Sequence, residues 1–119
     1  MATKNFEAHV RYQPRVAIID LEGEIDSFAE DMLNDAYAEA ESRDAKVILL
    51  NFSKVDYINS TGIALIVGLL ARARKSKRHL LASGLSEHYV EIFQITRLVD
   101  FMSVFPDEAS ALAEGSKRS

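Results

Sequence analysis

The chain has 119 residues, enough for one compact domain and too few for a second. Its 14 basic and 18 acidic residues give a net charge of −4, and 48% hydrophobic with 27% charged residues is the balance of a globular protein, not a disordered or fibrous one. That acidity disfavours direct binding to nucleic acid or to an anionic membrane, and the absence of cysteine excludes disulfides, thiolate metal sites and cysteine nucleophiles.

The opening residues Met1 to Glu7 lack the apolar core of a signal peptide. The longest uncharged apolar stretch, Ile63 to Ala71, falls well short of the ~18 residues that span a bilayer. A cytoplasmic protein with no membrane insertion is therefore expected.

Phe6, Ala8, Val10 and Tyr12 alternate with polar neighbours, and after Gln13-Pro14 a second β-branched run, Val16 to Leu21, ends at Gly23. The pattern predicts two strands joined by a tight turn. From a cap at Asp26 or Ser27, Phe28, Met32, Leu33, Ala36, Tyr37 and Ala40 recur at helical spacing, which predicts an amphipathic helix with its acids outward. Val47 to Leu50 reads as a strand buried on both faces, followed by a loop over 51–60.

A helix is expected from Thr61 to about Lys75, with Ile63, Ile66, Val67 and Leu70 on its packed face and basic residues in its last turn. Next come a strand near His79 to Ala82, a Ser86-capped helix through Phe93, a strand around Phe101 to Phe105, and a helix opened by Pro106-Asp107-Glu108. Residues 1–114 form the expected domain and 115–119 a polar tail. This order defines an α/β domain: a mixed, mostly parallel sheet of about five strands packed with about four helices.

The stretch from Asp56 to Gly62 sits where open α/β sheets place functional groups, after a buried strand and before a helix. Ser60 can cap that helix, and the free N–H groups and positive dipole end of its first turn favour an anion there. A phosphate on Ser60 would be locally tolerated, yet would bring a charge of about −1.5 to −2 to a loop free to dock on a partner. On these physics alone a plain helix cap is the commoner role for such a serine. If the apolar stripe packs on the sheet, Leu65 and Leu69 border solvent and extend a docking patch from Ser60 and Thr61; a neighbouring helix covering them is the alternative.

The string Val47-Ile48-Leu49-Leu50-Asn51-Phe52-Ser53, with Asp56-Tyr57-Ile58-Asn59-Ser60-Thr61-Gly62-Ile63, resembles the signature of STAS domains. Specifically it is similar to bacterial anti-sigma factor antagonists of the SpoIIAA and RsbV type, and Gly23-Glu24-Ile25-Asp26 resembles that family's Gly-Glu-Leu-Asp. The resemblance implies a STAS-type sheet and a non-enzymatic switch protein in partner-switching signalling. It implies binding to an anti-sigma factor that is also a serine kinase, release of a sigma factor, phosphorylation at Ser60, and resetting by a PP2C-like phosphatase. Asp26, Asn59, Ser60, Thr61, Gly62, Leu65 and Leu69 are the expected partner-binding residues. The family's acid before the serine is Asn59 here, which keeps an alternative open: an unphosphorylated STAS scaffold or accessory subunit of a signalling assembly or lipid-transport ATPase. Homodimerisation is also left open.

Other residues carry less. The basic residues Arg72, Arg74, Lys75, Lys77 and Arg78 read as a solvated helix end. His9, His79 and His88 show no metal-ligand spacing, and no cofactor motif, phosphate loop or serine-hydrolase elbow is present.

Overall fold

A computed structural model describes residues 6–118. The first five residues, part of the segment read as lacking a leader, and Ser119 of the expected tail lie outside the described residues. Strands β1 (Glu7–Gln13) and β2 (Val16–Ile25) form an antiparallel hairpin closed by Pro14-Arg15, with Arg15 in the left-handed region at φ 66°. After β2 the chain makes a 3₁₀ turn (Ser27–Ala29), helix α1 (Glu30–Ser42), β3 (Val47–Ile58) and α2 (Ser60–Lys75). It continues through β4 (His79–Ser83), α3 (Glu87–Ile95), a second 3₁₀ turn (Leu98–Asp100), β5 (Ser103–Phe105) and α4 (Glu108–Arg118).

The five strands lie in the order β1-β2-β3-β4-β5, and every pair after the hairpin is parallel. Sequential parallel strands joined by right-handed crossovers carry their helices to one face. Accordingly Leu33 of α1, Ile66 of α2 and Phe93 of α3 share one core with Ile19, Ile48 and Leu50. On the opposite face α4 covers Val16, Ile18, Val47, Leu49 and Leu81 through Ala111. No helix among the described residues is long and apolar enough to cross a membrane.

The element order matches the expectation, and the differences have local causes. The loop expected over 51–60 is the second half of β3, because β2 runs on beside it and pairs as far as Ile25 with Ile58. Its polar residues Ser53, Lys54 and Asp56 are accommodated as exposed side chains. Phe28 does not join the core face of α1: the 3₁₀ turn places it ahead of the helix, 90% exposed, while Ala29, Leu33, Ala36, Tyr37 and Ala40 fill the core and Met32 is largely exposed. The expected tail is also ordered differently, since α4 continues to Arg118 with Gly115 buried close to Val47.

The face of α2 that packs is rotated from the expected one. Gly62, Ile66, Leu69, Leu70 and Ala73 are buried, Val67 is exposed, and Leu65 is half-buried against the core. Leu69 is therefore a core residue and drops out of the expected docking patch.

The basic run is not uniformly solvated either. Arg72 donates to Glu41 at 2.8 Å and lies over the Tyr37 ring, and the Arg78 Nε–H donates to the Ala45 carbonyl at 2.9 Å. Arg74 lies over Phe101, while Lys75 and Lys77 are exposed. His9, His79 and His88 are all exposed.

Candidate functional site

The site forms where β2 and β3 end together. Ile25 and Ile58 are partners in register, so the residues after them, Asp26 and Asn59, stand on adjacent segments at one edge of the sheet. The Asn59 N–H donates to the Ile25 carbonyl at 3.2 Å, tying the two exits to each other.

Each of these two exit residues caps the next element of the chain. Asp26 accepts from the Phe28 N–H at 2.9 Å through its carboxylate and from the Ala29 N–H at 3.0 Å through its carbonyl, which fixes the 3₁₀ turn. Asn59, with extended backbone, accepts from the Gly62 N–H at 2.8 Å through its side-chain oxygen and from the Ile63 N–H at 2.9 Å through its carbonyl. The cap expected of Ser60 thus belongs to Asn59, which serves at this position as well as serine does. Ser60 is instead the first residue of α2, exposed beside exposed Thr61.

Electrostatics at this helix start favour an anion. Asn59 takes up the N–H groups of Gly62 and Ile63, leaving those of Ser60 and Thr61 as the remaining donors of the first turn. There is no acidic residue in that turn to offset the positive end of a 16-residue dipole.

Gly62 determines how close the helix comes. A Cβ there would lie 2.1 Å from the Ile25 carbonyl oxygen and 2.8 Å from Ile58 Cγ2, so only glycine lets the first turn of α2 sit on the end of β2. Gly62 lies on the same buried face of α2 as Ile66, Leu69, Leu70 and Ala73.

Tyr89 of α3 lies outside the expected site residues. Its buried hydroxyl accepts from the Ile58 N–H at 2.9 Å, satisfying the last donor of β3 immediately before Asn59. In sequence Tyr89 and Phe93 are simply an apolar pair at helical spacing, and nothing there announces a hydrogen bond to a strand 31 positions away. Asp26, Asn59, Ser60, Thr61 and Gly62 are thus brought together by these contacts, with Leu65 one turn along α2 and Leu69 below the surface. No group of three metal-capable side chains occurs among the described residues.

The family model for the STAS domain matches residues 7–111, and the chain belongs to that family. Among curated relatives it is similar to the anti-sigma-B factor antagonist of Listeria monocytogenes, with 28% identity over 82 residues, covering 69% of this chain and 72% of that one. Among solved structures, an anti-sigma factor antagonist from Mycobacterium paratuberculosis superposes with a TM-score of 0.82 at 16% identity, covering 94% and 95% of the two chains. The phosphorylated form of the Bacillus cell fate determinant SpoIIAA superposes with a TM-score of 0.70 at 20% identity, covering 92% of this chain and 98% of that one. At such identities the superpositions establish the fold.

Proposed function

We propose that this chain is a cytoplasmic anti-sigma factor antagonist whose Ser60 is the point at which a partner kinase switches it. In this reading the unphosphorylated chain docks on an anti-sigma factor that is also a serine kinase, through Asp26, Asn59, Ser60, Thr61 and the exposed part of Leu65. Docking frees a sigma factor, and transcription is the result. Gly62 acts by positioning the others. The observation that carries the reading is the placement of Ser60, exposed at the first position of a capped helix and beside the Asp26 turn.

The kinase brings ATP and magnesium. The Ser60 oxygen attacks the γ-phosphorus, the bond to the ADP oxygen breaks, and the hydroxyl proton passes to a base on the kinase. The phosphoserine carries a charge of about −1.5 to −2. The α2 dipole tolerates it within this fold, whereas in the complex it faces the phosphates of the nucleotide that delivered it, so the complex separates. A PP2C-like phosphatase hydrolyses the ester and resets the chain. Asn59 supplies the cap that an aspartate would, while omitting a negative charge next to the incoming phosphate.

The test is the intact mass and peptide map of the protein after incubation with native-host lysate and ATP, with Ser60→Ala as the control. One phosphoryl group on Ser60, absent from the control, is expected. Ser60→Ala should keep its affinity for the host's anti-sigma kinase, and Ser60→Asp should bind about tenfold or more weakly, equivalent to ~1.4 kcal/mol. If both variants lose binding equally, charge is not the switch. The neutral Asn59 favours one other reading, a STAS scaffold or accessory subunit that is never phosphorylated. An unmodified Ser60 in a lysate competent to phosphorylate another such antagonist would move that reading ahead.

A further inference from the structure

Phe28 is 90% exposed, more than any other large hydrophobic side chain among the described residues. Leaving a phenylalanine ring in water forgoes the stabilisation of burying it, and a mobile loop could relieve that by folding the ring back. Here the backbone cannot move freely. The Asp26 carboxylate holds the Phe28 N–H, the Asp26 carbonyl holds the Ala29 N–H, and Ala29 is itself fully buried beneath the turn. The ring is therefore presented outward on a fixed base, as an anchor residue needs to be.

Its surroundings specify what it fits. The turn lies against α2 and follows β2 at the end of the sheet where Ser60 opens α2, so Phe28 and Ser60 stand at the same end of the sheet. Met32, four residues on, is 43% exposed and widens the apolar area. Around them Glu30 and Asp31 are exposed and form no ion pair among the described residues. Of the ten acids in segment 20–44, Asp20, Glu39, Glu41 and Asp44 are taken up by partners within the fold, which leaves Glu30 and Asp31 as the free charges next to Phe28 in the chain. An apolar knob followed directly in the chain by two exposed carboxylates is complementary to an apolar pocket with lysine or arginine on its rim.

We propose that Phe28 is the apolar anchor of the docking surface, inserted into a pocket of the anti-sigma kinase whose rim is basic. The inference rests on the proposed antagonist function and adds to it the residue that supplies most of the affinity. Glu30 and Asp31 meet the basic rim while Ser60, at the same end of the sheet, meets the nucleotide. Affinity from the anchor and release by phosphorylation are thereby separated in space.

The test measures binding of the host's purified anti-sigma kinase, by calorimetry at low and high salt, to the wild-type chain, Phe28→Ala and Ile95→Ala. Ile95 is 71% exposed on α3 and serves as the control for a generic apolar loss. Phe28→Ala should bind at least about tenfold more weakly with an unchanged thermal midpoint, Ile95→Ala within about twofold of wild type, and wild-type affinity should fall with salt. Wild-type affinity in Phe28→Ala, or an equal loss in both variants, overturns the anchor and leaves the antagonist reading standing. Failure of the wild-type chain to bind the kinase overturns the antagonist reading, and the anchor with it.

Discussion

The two ends of the sheet treat charge in opposite ways. At the end where β3 and β4 begin, the basic residues closing α2 are drawn into the fold: Arg72 and Arg78 both reach Glu41 of α1, and Arg78 also holds the Ala45 carbonyl. At the end where β2 and β3 finish, Glu30 and Asp31 are left to solvent around an exposed phenylalanine. In sequence the basic cluster reads as a solvated helix end. In three dimensions its Arg72 and Arg78 form a clamp onto α1 while Lys75 and Lys77 stay exposed, and the surface around Phe28 is acidic and apolar. A charge run is a candidate interface only after the charges the fold itself uses have been removed from it.

The sharpest way to break the free end is at Gly62. Gly62→Ala puts a methyl group into the Ile25 carbonyl, a backbone atom that cannot rotate away, so α2 must lift from β2. A loss of ~3 kcal/mol or more in denaturant unfolding is expected, along with loss of partner binding, because Ser60 moves with the helix. Gly68 on the same helix is the internal control. A Cβ there meets nothing within 4 Å, so Gly68→Ala should stabilise by ~0.5–1 kcal/mol through helix propensity alone. Equal effects at the two glycines would remove the steric account of how the site is positioned.

Much of the molecule is legible in the sequence. The hairpin, the buried run at Val47 to Leu50 and the Ser86 cap arise from alternation, apolar continuity and side-chain chemistry, and of the two caps open ahead of α1, Asp26 and Ser27, Asp26 is the one used, on the 3₁₀ turn. Ser60 stands out there as the residue at the mouth of α2. The residues that went astray depend on tertiary placement. Phe28 lies at helical spacing from Met32, and only the 3₁₀ turn before α1 shifts it outward. Leu69 turns inward with Gly62, Ile66, Leu70 and Ala73 on the face of α2 that packs on the core, and residues 51–58 form a strand because β2 is there to pair them. Tyr89 acts through a hydrogen bond that no local pattern encodes.

Next in size is the exchange of Glu41 and Glu30, which tests the contrast between used and free charge directly. Glu41→Gln weakens the contacts to Arg72 and Arg78 at partly exposed positions, and a loss of about 1 kcal/mol in unfolding free energy is expected with partner affinity unchanged. Glu30→Gln should do the reverse, leaving stability within ~0.5 kcal/mol while weakening partner binding at low salt. If Glu41→Gln impairs binding and Glu30→Gln does not, the assignment of the two ends is inverted.

An effect of similar size lies on the face of the sheet that α4 covers, away from both ends. Arg11 of β1 donates to Asp20 of β2 at 2.8 Å and to Glu108 at the start of α4, and Asn51 of β3 adds a second donor to Asp20 at 2.8 Å. The Arg11 hydrogen bond holds the Asp20 carboxyl below its usual range, against partial burial that acts the other way. A carboxylate with a depressed folded-state pKa contributes stability that is fully present above its unfolded pKa of about 4 and is lost as pH falls through the lower folded value. Asp20→Asn should therefore be less stable than wild type by about 1 kcal/mol near neutrality, and the gap should close below about pH 4. A gap that stays constant from neutral to acid pH would assign the loss to altered packing of the amide and not to the carboxylate charge. Partner binding should be the same in both proteins throughout the neutral range, because this network stands apart from the surface that carries Phe28 and Ser60.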